Sequence, residues 1–540
     1  MRRPVAVLGA LAAAVACVGL ARSQSTPPKA GPVEILPLDQ VQPGMQAVAW
    51  TTFRGTTPEP VPVEILGRMH NSWGPGQDII LAKLGGPAQR TNVAGGMSGS
   101  PVYHQGKLLG AISLRFSTFS PDAIAGITPI ELMLEIDEID RSRPLEAARL
   151  EPAPLDDQDL DGQDLAAAVW ASRGVVATPQ REGAAAIETP VMISGLNDGV
   201  LDLFSGYFLK QGFRVMQAGA GSAGKLEQGD AEDALQPGEP IAAVLLTGDM
   251  SANAVGTVSY NDGRRVLGFG HAMFNSGPIS APIATGDVLH VLASQLAPVK
   301  IANAKAIVGA LRQDRHSGIL GVLGESAPLT PVDVTVRQFG DADEVLSSKK
   351  LHYEVFQNEK WTPQMLMLAL FNSMFGVNEF SEEATFRLDA KLELAGEHEV
   401  ELRTMRTNSN NPAPTPLLVA GSLAGRVQRI FSNVRETPSI QRIQATIDLL
   451  PRRRTATIEQ VWLERRRARP GDTLEGKVIL QPYRGSPFEK EFQLKIPNGA
   501  PKGRLMLMVS EPGVWNQKRE RAAERSRALT LPETVSWLNG

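Results

Sequence analysis

Between residues 95 and 101 the chain reads Gly95-Gly96-Met97-Ser98-Gly99-Ser100-Pro101, and it runs straight into Val102-Tyr103-His104-Gln105-Gly106-Lys107-Leu108-Leu109-Gly110-Ala111-Ile112-Ser113. Three glycines so close together suit a backbone folded too tightly for Cβ atoms. Residues 101–113 carry a hairpin pattern: a strand from Pro101, a turn at Gln105-Gly106 and an apolar second strand. The segment therefore has to form a tight loop feeding a β-sheet. A serine at the centre of such a loop fits a nucleophile. Its hydroxyl is weak until a base takes the proton, and the tetrahedral oxyanion it forms needs two backbone N–H donors aimed at one point. With Gly96 two residues before Ser98, the amides of Gly96 and Ser98 are free to converge, and Gly99 lets a carbonyl approach closely. A plain Gly/Ser turn between strands is the alternative, and the strand-turn-strand sequel weighs against it.

A chain of 540 residues is too long for one compact core, and its length suggests about three or four domains. With 42% hydrophobic and 21% charged residues, 51 Gly and 39 Pro, it reads as a globular, turn-rich, mainly β protein. Arg2 and Arg3 precede an apolar run from Val5 to Leu20, and Ala21-Arg22-Ser23 supplies a small-x-small cleavage pattern. Residues 1–23 are thus expected to be a signal peptide, and the mature chain to be exported to a periplasmic or extracellular location. Cys17, the only cysteine, lies inside that signal, so no disulfide is expected. Ala14-Val15-Ala16-Cys17 resembles a lipoprotein cleavage site, but Ala14 stands where a larger aliphatic is usual, so no lipid anchor is expected. The run falls short of the ~20 residues a membrane helix needs and no later stretch approaches that length, so no transmembrane segment is expected in the mature chain. Without the three signal arginines the net charge moves from −4 to −7, so nothing there suggests a nucleic-acid partner and none is expected.

Strand patterns at Ala47–Phe53, Val61–Leu66 and Asp78–Ala82 place the serine loop in a β-lobe over residues 36–140, closed by an amphipathic helix from Glu131 to Ile139. Residues 141–190 read as an acidic linker and helix. Asp157-x-Asp159-x-Asp161-Gly162 matches the first half of a calcium loop, but the twelfth position is Ala168 rather than Glu, which favours a solvated linker. A second β-lobe is expected over 191–335. There Pro240–Asp249 and Val255–Tyr260 are strands, and an Asn261-Asp262-Gly263 turn leads into Arg265–His271. Residues 336–450 read as a mixed α/β module with an apolar helix from Met365 to Phe375. Residues 451–540 read as an Ig-like β-sandwich module.

Seven histidines, at 70, 104, 271, 290, 316, 352 and 398, are available as a base. His271 has the best setting, after a strand and a Gly268-x-Gly270 bend able to present an imidazole at a lobe edge. His70 and His104 read as surface or packing residues.

At Ser98 and His271 together the chain resembles the SpoIVB family of serine peptidases. The signature G-M-S-G-S-P stands complete at Gly96 to Pro101, and the G-H element is similar to Gly270-His271, within a stretch from Val255-Gly256-Thr257-Val258 to Phe274. The likeness covers about residues 40–140 and 240–325. It implies a two-lobed, chymotrypsin-like β-barrel peptidase with Ser98 as nucleophile and His271 as base. It also implies an Asp shortly upstream of the serine, for which Asp78 is the nearest residue; Asp262 and Asp287 flank the histidine as alternatives. Two departures stand out: the family has its histidine element before its serine element, whereas Ser98 precedes His271 here, and no PDZ-like segment is evident. Catalytic units are defined by geometry rather than chain order, so the permutation is tolerable.

The expectation is an exported serine endopeptidase with an oxyanion hole from the amides of Gly96 and Ser98. No metal or organic cofactor is implied, and the substrate is a protein or peptide, possibly the chain itself. The alternative is a catalytically silent envelope binding or scaffold protein that keeps the peptidase fold. An esterase-like acyl transferase would need a strand-nucleophile-helix elbow, and the residues after Ser98 read as a strand.

Overall fold

The computed structural model describes residues 26–116, 120–136, 138, 163–175, 184–218, 226–294, 297–375, 383–407, 413–433, 435–511, 514–515 and 529–539. The signal, Cys17, the Asp157–Gly162 motif and Ile139 lie outside them. The fold is mainly β.

Strands β1 (Gln46–Thr51), β2 (Glu59–Gly74), β3 (Gln77–Leu84), β4 (Pro101–His104), β5 (Lys107–Arg115) and β6 (Ala123–Pro129) pair in the order β4-β1-β2-β3-β6-β5, and β5 returns to β4, so the sheet closes into a six-stranded barrel. Alternation drives this: Val61, Val63 and Ile65 of β2 point inward while Glu64 faces water. The interior is filled by these side chains with Ile80, Ala82, Val102, Ile112 and Ile127, and by Val93, Ala94 and Met97 from the serine loop. A short helix, Ile130–Leu134, starts where the amphipathic helix is expected. The two-residue strand β7 (Ala185–Ala186) adds to β5.

Strands β8 (Thr189–Ser194), β9 (Phe213–Gln217), β10 (Glu227–Gln228), β11 (Pro240–Gly248), β12 (Ser251–Asn261), β13 (Arg265–Gly268), β14 (Gly277–Leu292), β15 (Val299–Arg315) and β16 (Gly318–Leu323) come next in the chain. Six of them form a second closed ring, β11-β14-β15-β16-β13-β12 with β12 back on β11. The expected hairpin joins β12 to β13, where Gly263 N donates to Asn261 Oδ1.

The sheet does not stop at the second ring. β18 (Val345–Phe356) pairs with β11 and carries on through β17 (Leu329–Phe339), β21 (Ile440–Leu450), β19 (Thr385–Leu394) and β20 (His398–Thr407). The domain boundary expected at 335/336 therefore falls inside β17, because one continuous ladder of backbone hydrogen bonds crosses it. The apolar helix runs from Trp361 to Phe375, one turn longer than expected; residues 361–374 are all buried, as an all-round apolar helix requires. Where a two-sheet sandwich is expected, β22 (Ala456–Leu463), β23 (Thr473–Pro482) and β24 (Phe488–Lys495) make one three-stranded sheet among the described residues. The last helix, Leu531–Asn539, returns to β20, with Glu401 N donating to Asn539 Oδ1, so the C-terminal segment belongs with the 336–450 region. Among the described residues no helix is long and apolar enough to cross a membrane.

Candidate active site

The serine loop docks against the second ring through its carbonyls. Lys300 N donates to Gly95 O, Thr257 Oγ1 to Gly96 O, Thr257 N to Ser98 O and Ser259 Oγ to Gly99 O, all at 2.8 Å. On the amide side, Gly95 N donates to Pro298 O, Met97 N to Ala94 O, Gly99 N to Ile112 O and Ser100 N to Met97 O. Among the described residues, the amides of Gly96 and Ser98 donate to nothing. These are the two N–H groups expected to form an oxyanion hole. Gly96 has φ +86° and Gly99 φ +95°, so both bends sit in the region that favours glycine.

Ser98 is fully buried, and its Oγ has no hydrogen-bond partner among the described residues. His271 is 2% exposed; its Nδ1 lies 2.8 Å from Ala272 O, while Nε2 is buried with no partner among them. Because a carbonyl only accepts, Nδ1 carries the proton and Nε2 is left with its lone pair. Burial lowers the His271 pKa to about 4, which keeps the ring neutral. The two loops touch: a Cβ on Gly99 would stand 2.5 Å from Phe269 N, and one on Gly270 would stand 3.4 Å from Ile112 O, the acceptor of Gly99 N. The fold thus brings the serine and histidine elements together, although no hydrogen bond joins Ser98 Oγ to His271 Nε2.

Asp78 is engaged elsewhere. Its carboxylate accepts from Arg68 Nη2 at 2.9 Å and from Asn71 N at 3.0 Å, and lies 3.0 Å from His70 Nδ1, because antiparallel pairing of β2 with β3 sets it across from that stretch. The Arg68 guanidinium holds its pKa down. Asp262 is likewise taken up by its own turn, accepting from Arg264 N, Arg265 N and Arg265 Nε. Asp287 lies on β14 opposite Asn303. His271 has the Ala272 carbonyl where the resemblance implies a carboxylate. His104 Nδ1 lies 2.8 Å from Gln46 O, away from this chemistry.

Two residues here were not anticipated. Asp314, fully buried, accepts from Met273 N, Phe274 N and Ser276 N, and so clamps the turn after His271. Burial raises its pKa to about 6 against those hydrogen bonds. Lys300 is also fully buried; its Nζ donates to Thr51 Oγ1 at 2.6 Å and to Thr257 Oγ1 at 3.0 Å, and burial lowers its pKa to about 7. One signal for Lys300 was available, since it shares strand parity with the inward-facing Ala302 and Ala304. None was available for Asp314, which comes after a register shift in β15. Among the described residues no group of three His, Cys, Asp or Glu side chains is arranged to hold a metal ion.

Compared with protein-family models, with curated proteins and with solved structures, the chain matches none.

Proposed function

We propose that this protein is an exported serine endopeptidase of the SpoIVB type, with two chymotrypsin-like barrels in permuted order. The reading is carried by one observation: Ser98 Oγ and His271 Nε2 are both buried without a partner among the described residues, on loops that touch, beside two amides that donate to nothing there. Buried polar groups are ordinarily satisfied, so such a concentration of free donors and acceptors fits a site awaiting a reacting group. In this mechanism Ser98 attacks a peptide carbonyl while His271 Nε2 takes its proton. The amides of Gly96 and Ser98 hold the oxyanion, and His271 returns the proton to the leaving amine. The Ala272 carbonyl orients the ring in place of a carboxylate. Substrate must part the two loops, because Ser98 and His271 are closed off from water. Export rests on residues 1–23 alone.

A fluorophosphonate probe tests this. The mature protein should gain one adduct, mapped to Ser98 by mass spectrometry and absent from Ser98→Ala. The silent-scaffold reading has its own support in the full burial of Ser98 and in the lack, among the described residues, of a carboxylate bonded to His271. It predicts no labelling in the folded wild type.

A further inference from the structure

The buried lysine is the group that the serine-histidine mechanism leaves without a role. A lysine this far from water is ordinarily paired with a carboxylate, yet the partners of Lys300 Nζ are two hydroxyls. The direction of each hydrogen bond is set by what the groups are able to do. Thr257 Oγ1 is 2.8 Å from Gly96 O, which only accepts, so Thr257 donates there and accepts from Lys300. Ser100 Oγ is 2.6 Å from Met97 O and 2.9 Å from Thr51 Oγ1. Its single proton serves the carbonyl, so Thr51 donates to Ser100 and accepts from Lys300. Two one-way chains therefore leave the ammonium and end on carbonyls of the serine loop.

The carbonyls reached are informative. The Met97 carbonyl belongs to the peptide group whose N–H is that of Ser98. The Gly95 carbonyl, which accepts from the main-chain N of Lys300, belongs to the peptide group whose N–H is that of Gly96. A hydrogen bond received at C=O polarises the amide and strengthens its N–H as a donor. The Lys300 side chain also lies where a Gly96 side chain would be: a Cβ there would stand 3.1 Å from Lys300 Cβ.

We propose that Lys300 is the positioning residue of the oxyanion hole, fixing and polarising both amide donors, that of Gly96 through its own main chain and that of Ser98 through Thr51 and Ser100. The inference rests on the peptidase reading and assigns how that site holds its oxyanion. The branch through Thr257 ends on Gly96 O, whose peptide carries the Met97 N–H, and that N–H is bonded to Ala94 O. This branch steadies the loop without reaching either donor.

The test is fluorophosphonate labelling kinetics, resolved into kinact and KI, on the wild type and on Lys300→Met, Thr51→Val and Thr257→Val, each checked for folding by circular dichroism. Lys300→Met and Thr51→Val should lower kinact by about tenfold or more while KI stays within about twofold, since the lost interaction is made to the developing oxyanion. Thr257→Val should have a smaller effect. Thr51→Val leaves the lysine in place, so it carries the test if Lys300→Met does not fold. Wild-type kinact in the folded Lys300→Met or Thr51→Val protein overturns the inference and leaves the peptidase reading standing. Equal losses in all the variants, with raised KI, reduce Lys300 to a structural residue and also overturn it. A wild type that does not label at Ser98 overturns the peptidase reading itself, and the inference with it.

Discussion

Gly99 of the first barrel and Thr257 of the second ring are packed so closely that a Cβ on Gly99 would stand 1.9 Å from the Thr257 carbonyl oxygen. With φ at +95° as well, no side chain is tolerated there without moving one ring from the other. Gly99→Ala should therefore cost on the order of 3 kcal/mol or more of stability, read as a lower melting temperature. It should also abolish probe labelling in whatever fraction stays folded. An alanine variant with wild-type melting and labelling would contradict this docking.

Ser98→Ala should behave in the opposite way. The Oγ it removes is buried and makes no hydrogen bond among the described residues, so its loss relieves a desolvation penalty on the order of 1 kcal/mol. The variant should melt at the wild-type temperature or higher while losing all labelling, the signature of a group kept for chemistry rather than for folding. A clear loss of stability would mean that the hydroxyl has a structural partner.

His271 makes stability fall on the acid side. Burial lowers its pKa from 6.5 to about 4, so between those values the unfolded chain binds more protons than the folded one. Stability from this group is then present above pH 6.5 and is lost as pH falls toward 4. His271→Gln should remove that loss. The fall in melting temperature between about pH 7 and about pH 5 should be smaller in the variant than in the wild type, and an identical fall in both would count against the buried neutral imidazole.

Asp314 acts with the opposite sign. Its pKa is raised from 3.8 to about 6, so the folded state binds more protons across that window and stability from this group decreases as pH rises through it. Asp314→Ala leaves the amides of Met273, Phe274 and Ser276 without their acceptor, at a cost on the order of 3 kcal/mol. It should also slow labelling, because the released turn carries His271. Labelling at the wild-type rate in a folded variant would separate the clamp from the site.

Much of the candidate site is legible in the amino-acid sequence. Gly96, Ser98 and Gly99 are recognisable because a tight loop requires glycines at particular offsets. His271 is recognisable because the Asn261-Asp262-Gly263 turn determines where the next strand ends. Asp78 marks the limit of what the resemblance reveals. The resemblance implies an Asp upstream of Ser98 and Asp78 is the nearest, but β2 and β3 pair so that Arg68, His70 and Asn71 meet it first. Asp314 and Lys300 lie 43 and 29 residues beyond His271 on β15 and reach the site only because that strand lies in the ring.

What the amino-acid sequence determines by itself is therefore local: which segments are strands, where the backbone must bend, and which hydroxyl and imidazole stand at those bends. These depend on side-chain alternation and on glycine's freedom, which act over a few residues. Tertiary structure alone decides that β5 returns to β4 and β12 to β11, that one sheet runs from the second ring through β17 to β20, and that Ser98 Oγ is buried without a hydrogen-bond partner among the described residues while Lys300 Nζ meets two threonine hydroxyls. Those outcomes depend on pairings between segments far apart in the chain, and a strand's own pattern states which face is buried but not which strand lies beside it.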